Sequence, residues 1–305
     1  MSNAFYLRWV RSVRRLVLTV GRFVFELFRR PQSALGTLIV LFFLVLALFG
    51  NQIAPYDAND IEHPPRQSPN DDYPFGTDSR GRDVYSRVIL GTESIFRVAG
   101  LGTLLAVGVG TIIGLVIGYQ GGVLDELVSR VIDAMLALPA LLVALVTLGV
   151  IRELQFEPGT WQARFADNSV LLVIAILYVP IVARVVRSST LEIKTREFVE
   201  AAQIRGESRF YIIFREIFPS VIPALVVEAS LRFSYAIFLV ASLGFLGVGV
   251  RPPTPDWGHM VSDNSGAFYD LTPWAMERPA MAIALLVIGV NLMSDGVRRA
   301  VQKSD

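Results

Sequence analysis

Apolar residues in this 305-residue chain are gathered into six blocks, each close to the length that an α-helix needs to cross a lipid bilayer. The blocks cover about 34–53, 98–119, 131–151, 170–186, 224–250 and 279–296. A soluble core would instead spread its apolar residues at helical or strand period. Because lipid offers the backbone no hydrogen-bond partners, each block is predicted to be helical. The sequence therefore predicts an all-α membrane protein with six transmembrane helices.

Composition agrees with this prediction and excludes several classes of site. Hydrophobic residues make up 53% of the chain and charged residues 18%, with a mean hydropathy of +0.51. The net charge of +1 gives no basis for nucleic-acid binding. There is no cysteine, which rules out disulfides and thiolate metal sites. The two histidines, His63 and His259, are far apart in sequence, so no metal site is predicted.

The distribution of Lys and Arg predicts the orientation of the chain in the membrane. With both termini in the cytosol, eighteen basic residues lie in cytosolic segments and eight in the extracytoplasmic loops. Residues 1–33 are predicted to form a cytosolic amphipathic helix, because five arginines fall near one face of it. These are Arg8, Arg11, Arg15, Arg22 and Arg29. No small-x-small cleavage motif follows the first block, so the first helix is expected to remain uncleaved.

The remaining organisation follows from the same reading. Residues 34–97 are predicted to hold the first transmembrane helix and an extracytoplasmic loop, and residues 98–296 a core of five helices. A charged cytosolic loop at about 188–222 interrupts this core, and residues 297–305 form a cytosolic tail.

The charged loop carries the most specific signal in the chain. It reads EAAQIRG over 200–206 and IFP over 217–219. Two adjacent alanines leave space for the close approach of a partner, and Gly206 permits a turn with positive φ. A helix over 198–204 and a second, amphipathic helix are expected, the latter ending at Pro219 and Pro223. Its buried stripe is predicted to contain Phe210, Ile213, Phe214 and Ile217.

This pattern resembles the EAA loop by which permease subunits of ATP-binding cassette (ABC) importers bind their ATPase. Four further motifs are similar to those of the dipeptide/oligopeptide/nickel branch of these permeases. They read FGTDSRGRDVYSR over 75–87, ARVVRS over 183–188, ASLGFLGVGVRPPTPDWG over 241–258 and NLMSDGVR over 291–298. The resemblance extends over about residues 30 to 300, and IAPYD at 53–57 resembles the C-type member of the permease pair.

The resemblance implies a type-I ABC importer permease fold, partners and a location. The partners are a homologous permease subunit, two cytosolic ABC ATPases, an extracytoplasmic substrate-binding protein and the lipid bilayer, without nucleic acid. ATP and Mg would be bound by the partner ATPases, so this chain would hold no cofactor and would not itself be an enzyme. The implied location is the plasma membrane of a bacterium or archaeon, as a multi-pass protein. The residues carried over to ATPase coupling are Glu200, Ala201, Ala202, Gly206, Ile217 and Pro219.

Two further sets of residues stand out within the apolar blocks. Gly110, Gly114 and Gly118 are spaced four apart, which predicts a close helix–helix contact in lipid. Glu228 and Arg232 are also four apart, so they are expected to contact each other on one face of their helix. Two interpretations of this pair stay open: it lines or gates a passage, or it is a structural clamp.

The chain departs from the family pattern near this pair. Val240 stands where a glutamate is expected, and Gly244 replaces a serine. In the first extracytoplasmic loop, four charged residues either brace the outer mouth by ion pairing or anchor the start of the second helix, and we favour the second interpretation. They are Asp78, Arg80, Arg82 and Asp83.

The sequence lacks the phosphate-binding loop GxxxxGK[S/T], so ATP binding of that kind is not expected here. The function predicted is a permease subunit of an ATP-driven importer that carries di- or oligopeptides delivered by a binding protein. Nickel chelates or oligosaccharides are alternative substrates for the same architecture. A secondary transporter without an ATPase partner is the alternative from a different class, although no internal repeat supports it.

Overall fold

A computed structural model describes residues 21, 25–154, 156–266 and 269–302. Most of the predicted N-terminal amphipathic helix, with Arg8, Arg11, Arg15 and Arg22, lies outside the described residues, as does the end of the tail, 303–305. The described part folds into ten helices, besides a short helical stretch at residues 25–28. They are α1 (Pro31–Ile53), α2 (Val84–Gln120), α3 (Gly122–Leu136), α4 (Ala140–Glu153), α5 (Trp161–Asp167), α6 (Ser169–Ile193), α7 (Glu197–Ile204), α8 (Arg209–Phe245), α9 (Trp257–Asp263) and α10 (Pro273–Gln302).

Five of these helices are long and apolar enough to cross a membrane: α1, α2, α6, α8 and α10. The third block, predicted as one helix over about 131–151, is instead split into α3 and α4, which meet at an angle of 83°. The break falls at Ala137, Leu138 and Pro139. Proline has no N–H to donate and disfavours helical geometry in the residue before it, which explains the break. Counted as one broken span, the pair brings the total to six.

Helix α2 begins much earlier than its apolar block. The block starts near residue 98, whereas the helix starts at Val84. The side chain of Asp83 caps this end, because its carboxylate accepts a hydrogen bond from the backbone N–H of Ser86 at 2.8 Å. Hydropathy alone reports the apolar part of a helix, so it missed the polar turns of α2.

Helix α8 runs without interruption through the prolines that were predicted to end it. A π-helical segment, Ile212–Ile217, comes directly before Pro219. In this wider turn the N–H of Phe218 bonds to the carbonyl of Ile213. The altered bonding pattern accommodates a proline that cannot donate, so the helix continues into the bilayer-spanning part.

The helices pack through small residues and one central tryptophan. Helix α1 lies against α10, where an added methyl group at Gly36 would be 2.5 Å from Cβ of Leu292. Trp257 of α9 is buried and donates its indole N–H to the carbonyl of Val88 at 2.9 Å. Its ring also meets Phe43 of α1 edge-on. These contacts join the N-terminal helix to the core formed by α2, α6, α8 and α10.

The segment between α1 and α2 is ordered by contact. Asp78 is buried and forms an ion pair with Arg82, whose Nε lies 2.7 Å from the carboxylate. Arg82 also lies 4.0 Å from Asp263 of α9, and the indole N–H of Trp274 in α10 bonds to the carbonyl of Thr77. The segment therefore both anchors α2 and braces neighbouring helices. We call this end of the bundle the loop end, and the end that carries α7 the coupling end.

Candidate functional site

The coupling end is dominated by α7 and the first turns of α8, residues 197–219, which we call the coupling segment. The helix expected over 198–204 is present as α7, and the chain then turns at Gly206 with φ of +76°. The turn is also held by Arg205, which lies 3.7 Å from Glu207 and 3.6 Å from Glu216. Only glycine adopts this φ without strain, so the turn depends on residue 206.

One side of the coupling segment is buried in the chain itself. Val199, Ala202 and Ile217 are fully buried, and they share an apolar cluster with Leu115 of α2 and Val186 of α6. Two of the six predicted coupling residues, Ala202 and Ile217, therefore pack inside this subunit. They attach the coupling segment to the transmembrane helices rather than face a partner.

The other side is exposed and partly apolar. Glu200, Ala201, Gly206 and Pro219 are exposed. Large apolar side chains accompany them: Ile204 is 87% exposed and Phe210 72%, and Phe210 stacks on Phe214 with ring centroids 4.6 Å apart.

The prediction of the buried stripe on the second, amphipathic helix of the loop, which forms the first turns of α8, was therefore partly wrong. Ile213 and Ile217 are buried, as expected, but the third buried position is Ile212, and Phe210 and Phe214 point outward. The buried stripe thus follows the isoleucines of the π-helical segment. A cluster of exposed aromatic and aliphatic side chains at the end of a helix bundle is typical of an interaction surface.

A polar cavity of about 570 Å³ lies beside the coupling segment. Its walls include Tyr119 at the end of α2, Lys194 at the end of α6, and Glu200 and Gln203 of α7. The Lys194 ammonium donates to the carbonyl of Gly118 at 2.9 Å, which satisfies a carbonyl at the end of α2. The cavity joins the ends of two transmembrane helices to α7.

The three glycines of α2 all face α6. An added methyl group would lie 2.7 Å from Val182 Cβ at Gly110, 2.6 Å from the carbonyl oxygen of Ala183 at Gly114 and 2.8 Å from Thr190 Cβ at Gly118. These distances leave no space for a side chain. Helices α2 and α6 therefore approach each other closely along the half of α2 that leads to the coupling end.

Ion pairs between α3 and α6 were not foreseen from the sequence. Arg187 of α6 binds both carboxylate oxygens of Asp125, at 2.5 and 2.7 Å, and Arg184 contacts Asp133. The available signal was the presence of opposite charges at the ends of consecutive apolar blocks. It does not specify which charges meet, because that depends on how the two helices are rotated.

Glu228 and Arg232 lie together in α8, with Arg232 Nε 2.8 Å from Glu228 Oε1. The N–H does not point at this oxygen, so the contact is an ion pair rather than a hydrogen bond. Both side chains are largely buried within the chain, and the guanidinium lies over the rings of Tyr178 in α6 and Tyr235 in α8. The pair thus sits between two helices of one subunit, and its role stays a prediction.

A further buried carboxylate, Asp256, was missed in the sequence. It caps α9 by accepting from the N–H of His259 at 2.9 Å, and burial raises the pKa of this carboxyl although its hydrogen bonds oppose the shift. An added methyl group at Gly244 would lie 2.2 Å from its Oδ1. The glycine that departs from the family pattern therefore makes room for Asp256.

Comparison with known proteins gives consistent results. Residues 110–304 match the sequence profile of a family described as binding-protein-dependent transport system inner membrane component. The chain is 34% identical over 276 residues to the dipeptide transport system permease protein DppC of Alkalihalophilus pseudofirmus, which covers 90% of this chain and 86% of that protein. It is 35% identical over 277 residues to the glutathione transport system permease protein GsiD of Escherichia coli, covering 90% and 87%.

Among solved structures, the chain is similar to the MetNI methionine ABC transporter in an inward-facing conformation. The TM-score is 0.50 at 20% identity, with 72% of this chain and 94% of that chain covered. At this level of identity the likeness concerns the fold alone, which is that of a type-I ABC importer permease.

Proposed function

The chain belongs to the family of binding-protein-dependent transport system inner membrane components, and from this membership we propose that it is one permease subunit of an ATP-driven peptide importer. It forms the translocation pathway together with a homologous permease subunit. Two cytosolic ATPases bind at the coupling end, and an extracytoplasmic binding protein delivers the substrate at the loop end. ATP and Mg are bound by the ATPases, and this chain performs no covalent chemistry.

The observation that carries this proposal is the exposed side of the coupling segment. Ile204 and Phe210 project large apolar surfaces at the end of the bundle, next to the exposed Glu200 and Ala201. Exposed apolar surface of this kind is unfavourable in water and becomes favourable when a partner covers it. We assign this surface to the ATPase, because Glu200, Ala201 and Ile204 lie in the stretch that resembles the EAA loop.

The path by which ATPase movement reaches the membrane follows from packing. Ala202 and Ile217 belong to a buried cluster with Leu115 and Val186, so a displacement of the coupling segment displaces α2 and α6 with it. Helix α8 begins inside the coupling segment and continues to Phe245, so it carries movement along its whole length. ATP then drives transport through its unequal affinity for the two arrangements, because a ligand shifts only the states that it binds unequally.

The orientation proposed is that of both termini in the cytosol of a bacterium, in its inner membrane. The excess of Lys and Arg on the coupling side supports it. The same orientation exposes the coupling segment to cytosolic ATPases and the loop end to a binding protein. A secondary transporter is no longer supported, since the family is described by its dependence on a binding protein.

Peptides are the substrate class proposed, because relatives that match 90% of this chain are described as dipeptide and glutathione permeases. The test is uptake of labelled dipeptides by vesicles that contain the complete transporter, its binding protein and internal ATP. We expect uptake that requires both ATP and the binding protein. Uptake of nickel chelates or oligosaccharides in place of dipeptides would contradict the substrate assignment, and uptake without ATP would contradict the mechanism.

A further inference from the structure

A polar cavity of about 370 Å³ lies at the loop end, between α1, the start of α2 and the loop after α8. It is separate from the coupling segment, with which it shares no lining residue. Its lining includes seven polar or charged side chains: Asn51, Asp57, Asn59, Glu93, Ser94, Arg97 and Thr254. Residues 253–255, in the loop after α8, complete the lining.

The charges in this cavity are available for a ligand. Glu93 and Arg97 are four residues apart in α2, in the order that favours a salt bridge along a helix. Yet no ion pair joins either of them to any residue in the part of the chain that the structure describes, and both are exposed. Asp57, on the other wall, accepts one hydrogen bond from the N–H of Asn59.

A second and independent observation points to the same place. Ser94 lines the cavity and is only 3% exposed, and its hydroxyl finds no hydrogen-bond partner among the described residues. A buried hydroxyl without a partner costs free energy, which a bound polar group would recover. The cavity thus combines an unpartnered donor and acceptor with charges of both signs.

The surface next to the cavity is apolar and continuous with it. Leu101, Leu104 and Ile112 are 47%, 66% and 55% exposed. They continue the helix face on which Glu93 and Arg97 lie, since steps of three, four and eight residues keep to one face. Helix α1 adds Leu48 and Phe49, which are 66% and 52% exposed, near its end. Arg97 stands where the apolar block of α2 begins, so the cavity lies at the level of the membrane interface.

We propose that this cavity binds the head group of an ethanolamine phospholipid, whose acyl chains lie along the apolar face of α2. The ammonium group is held by Glu93 and Asp57, the phosphate by Arg97, and Ser94 bonds a head-group oxygen. Two carboxylates beside one guanidinium favour a head group with a cation and disfavour a purely anionic one. That the bound lipid belongs to the outer leaflet rests on the orientation proposed above. The binding of its head group in the cavity does not depend on that orientation.

The test uses the complete transporter with its partner subunits, purified from membranes and examined by native mass spectrometry. The transporter is then exchanged into bilayers of phosphatidylethanolamine, phosphatidylcholine or phosphatidylglycerol. We expect phosphatidylethanolamine to be retained in preference to the other two. Phosphatidylcholine carries a quaternary ammonium that cannot donate hydrogen bonds to Glu93 and Asp57, and phosphatidylglycerol has no cation.

The variants Glu93→Gln and Arg97→Gln should each reduce retention at least about tenfold, because a charge-assisted hydrogen bond contributes about this much. The matched control is the exposed pair Glu126 and Arg130 of α3, also four residues apart, whose variants Glu126→Gln and Arg130→Gln should leave retention unchanged. Complex yield by size-exclusion chromatography verifies that each variant assembles.

Several results would overturn the proposal. Equal retention of phosphatidylcholine and phosphatidylethanolamine would remove the role of the ammonium group, and unchanged retention in both site variants would place the lipid elsewhere. Absence of retained lipid from the complete complex would mean that a partner subunit covers this face. Displacement of the lipid by glycylglycine would assign the cavity to a free zwitterion. Since retention is measured without transport, its failure is distinct from failure of the peptide-import proposal.

Discussion

At the scale of single residues, the arrangement around Arg232 places a full charge in a helix that crosses the membrane. Glu228 lies 2.8 Å away, and the rings of Tyr178 and Tyr235 cover the guanidinium. An unpaired charge in the centre of a bilayer costs about 2.5–3.5 kcal/mol on insertion scales. Each charge of the pair therefore reduces the cost of placing the other within the membrane.

We predict that Arg232→Ala harms complex yield and transport more than the double change Glu228→Ala with Arg232→Ala. The single change leaves a buried carboxylate without a partner, whereas the double change removes both charges. A double-mutant cycle on both quantities measures the coupling. Strictly additive single effects would contradict the pairing.

The glycines of α2 give a second prediction at this scale. Gly114→Ala places a methyl group 2.6 Å from the carbonyl oxygen of Ala183, where the neighbour is backbone and cannot rotate away. Overpacking of this kind costs about 1–3 kcal/mol, so the thermal stability of the purified complex should fall. Gly108→Ala is the control on the same helix, because no atom of another described helix or loop lies within 4 Å of the added methyl group. Equal stability of the two variants would be inconsistent with the close contact between α2 and α6.

At the scale of elements, the coupling segment packs against α2 and α6 with one side and exposes the other. Its turn depends on Gly206, whose φ of +76° costs a residue with a Cβ about 1–2 kcal/mol. We predict that Gly206→Val leaves the chain inserted but weakens ATPase co-purification and dipeptide uptake, while Gly206→Asn retains more of both because asparagine tolerates this conformation.

The exposed side chains of the coupling segment are tested separately from its turn. The double change Glu200→Lys with Ala201→Asp alters two exposed side chains without touching the buried cluster, so membrane insertion should be normal and ATPase binding reduced. Normal co-purification together with normal uptake in this variant and in Gly206→Val would rule out the coupling role of the segment.

The ion pair of Asp125 and Arg187 joins α3 to α6 and gives a prediction about stability. Asp125 accepts two hydrogen bonds from Arg187 and one from Ser129, whereas Glu126 forms an exposed pair with Arg130. Exposed pairs of this type contribute about 0–1 kcal/mol. We therefore expect Asp125→Ala to lower thermal stability clearly more than Glu126→Ala. Exchange of the charges in Asp125→Arg with Arg187→Asp should restore part of the stability that Asp125→Ala loses. A loss in Asp125→Ala no larger than that in Glu126→Ala would show that the half-buried pair of Asp125 and Arg187 is dispensable.

At the scale of the whole molecule, the distribution of basic residues predicts the orientation in the membrane, which reporter fusions test. A reporter fused after residue 305 and one inserted near residue 200 should both lie in the cytosol, and one inserted near residue 65 outside it. The reason is the excess of basic residues on the coupling side, eighteen against eight. A cytosolic reporter at residue 65 would mean that the number of spans or the orientation is wrong.

The sequence by itself determined the class of the molecule. The six apolar blocks and the turn at Gly206 follow from local chemistry, namely hydropathy and the conformational freedom of glycine. The motifs from residue 75 to residue 298 were enough to identify the family. Properties of this kind are encoded within one segment, so they can be recognised without knowing its neighbours.

Tertiary structure alone decided which surfaces meet. Within one motif it separated the buried Ala202 and Ile217 from the exposed Glu200 and Ala201, and it joined Asp125 to Arg187 across two helices. It also left Glu93 and Arg97 without an ion-pair partner among the described residues, despite a spacing that favours pairing. The physical reason is that these outcomes depend on how each helix is rotated and tilted against the others. Packing between segments distant in sequence sets that rotation, and no local pattern encodes it.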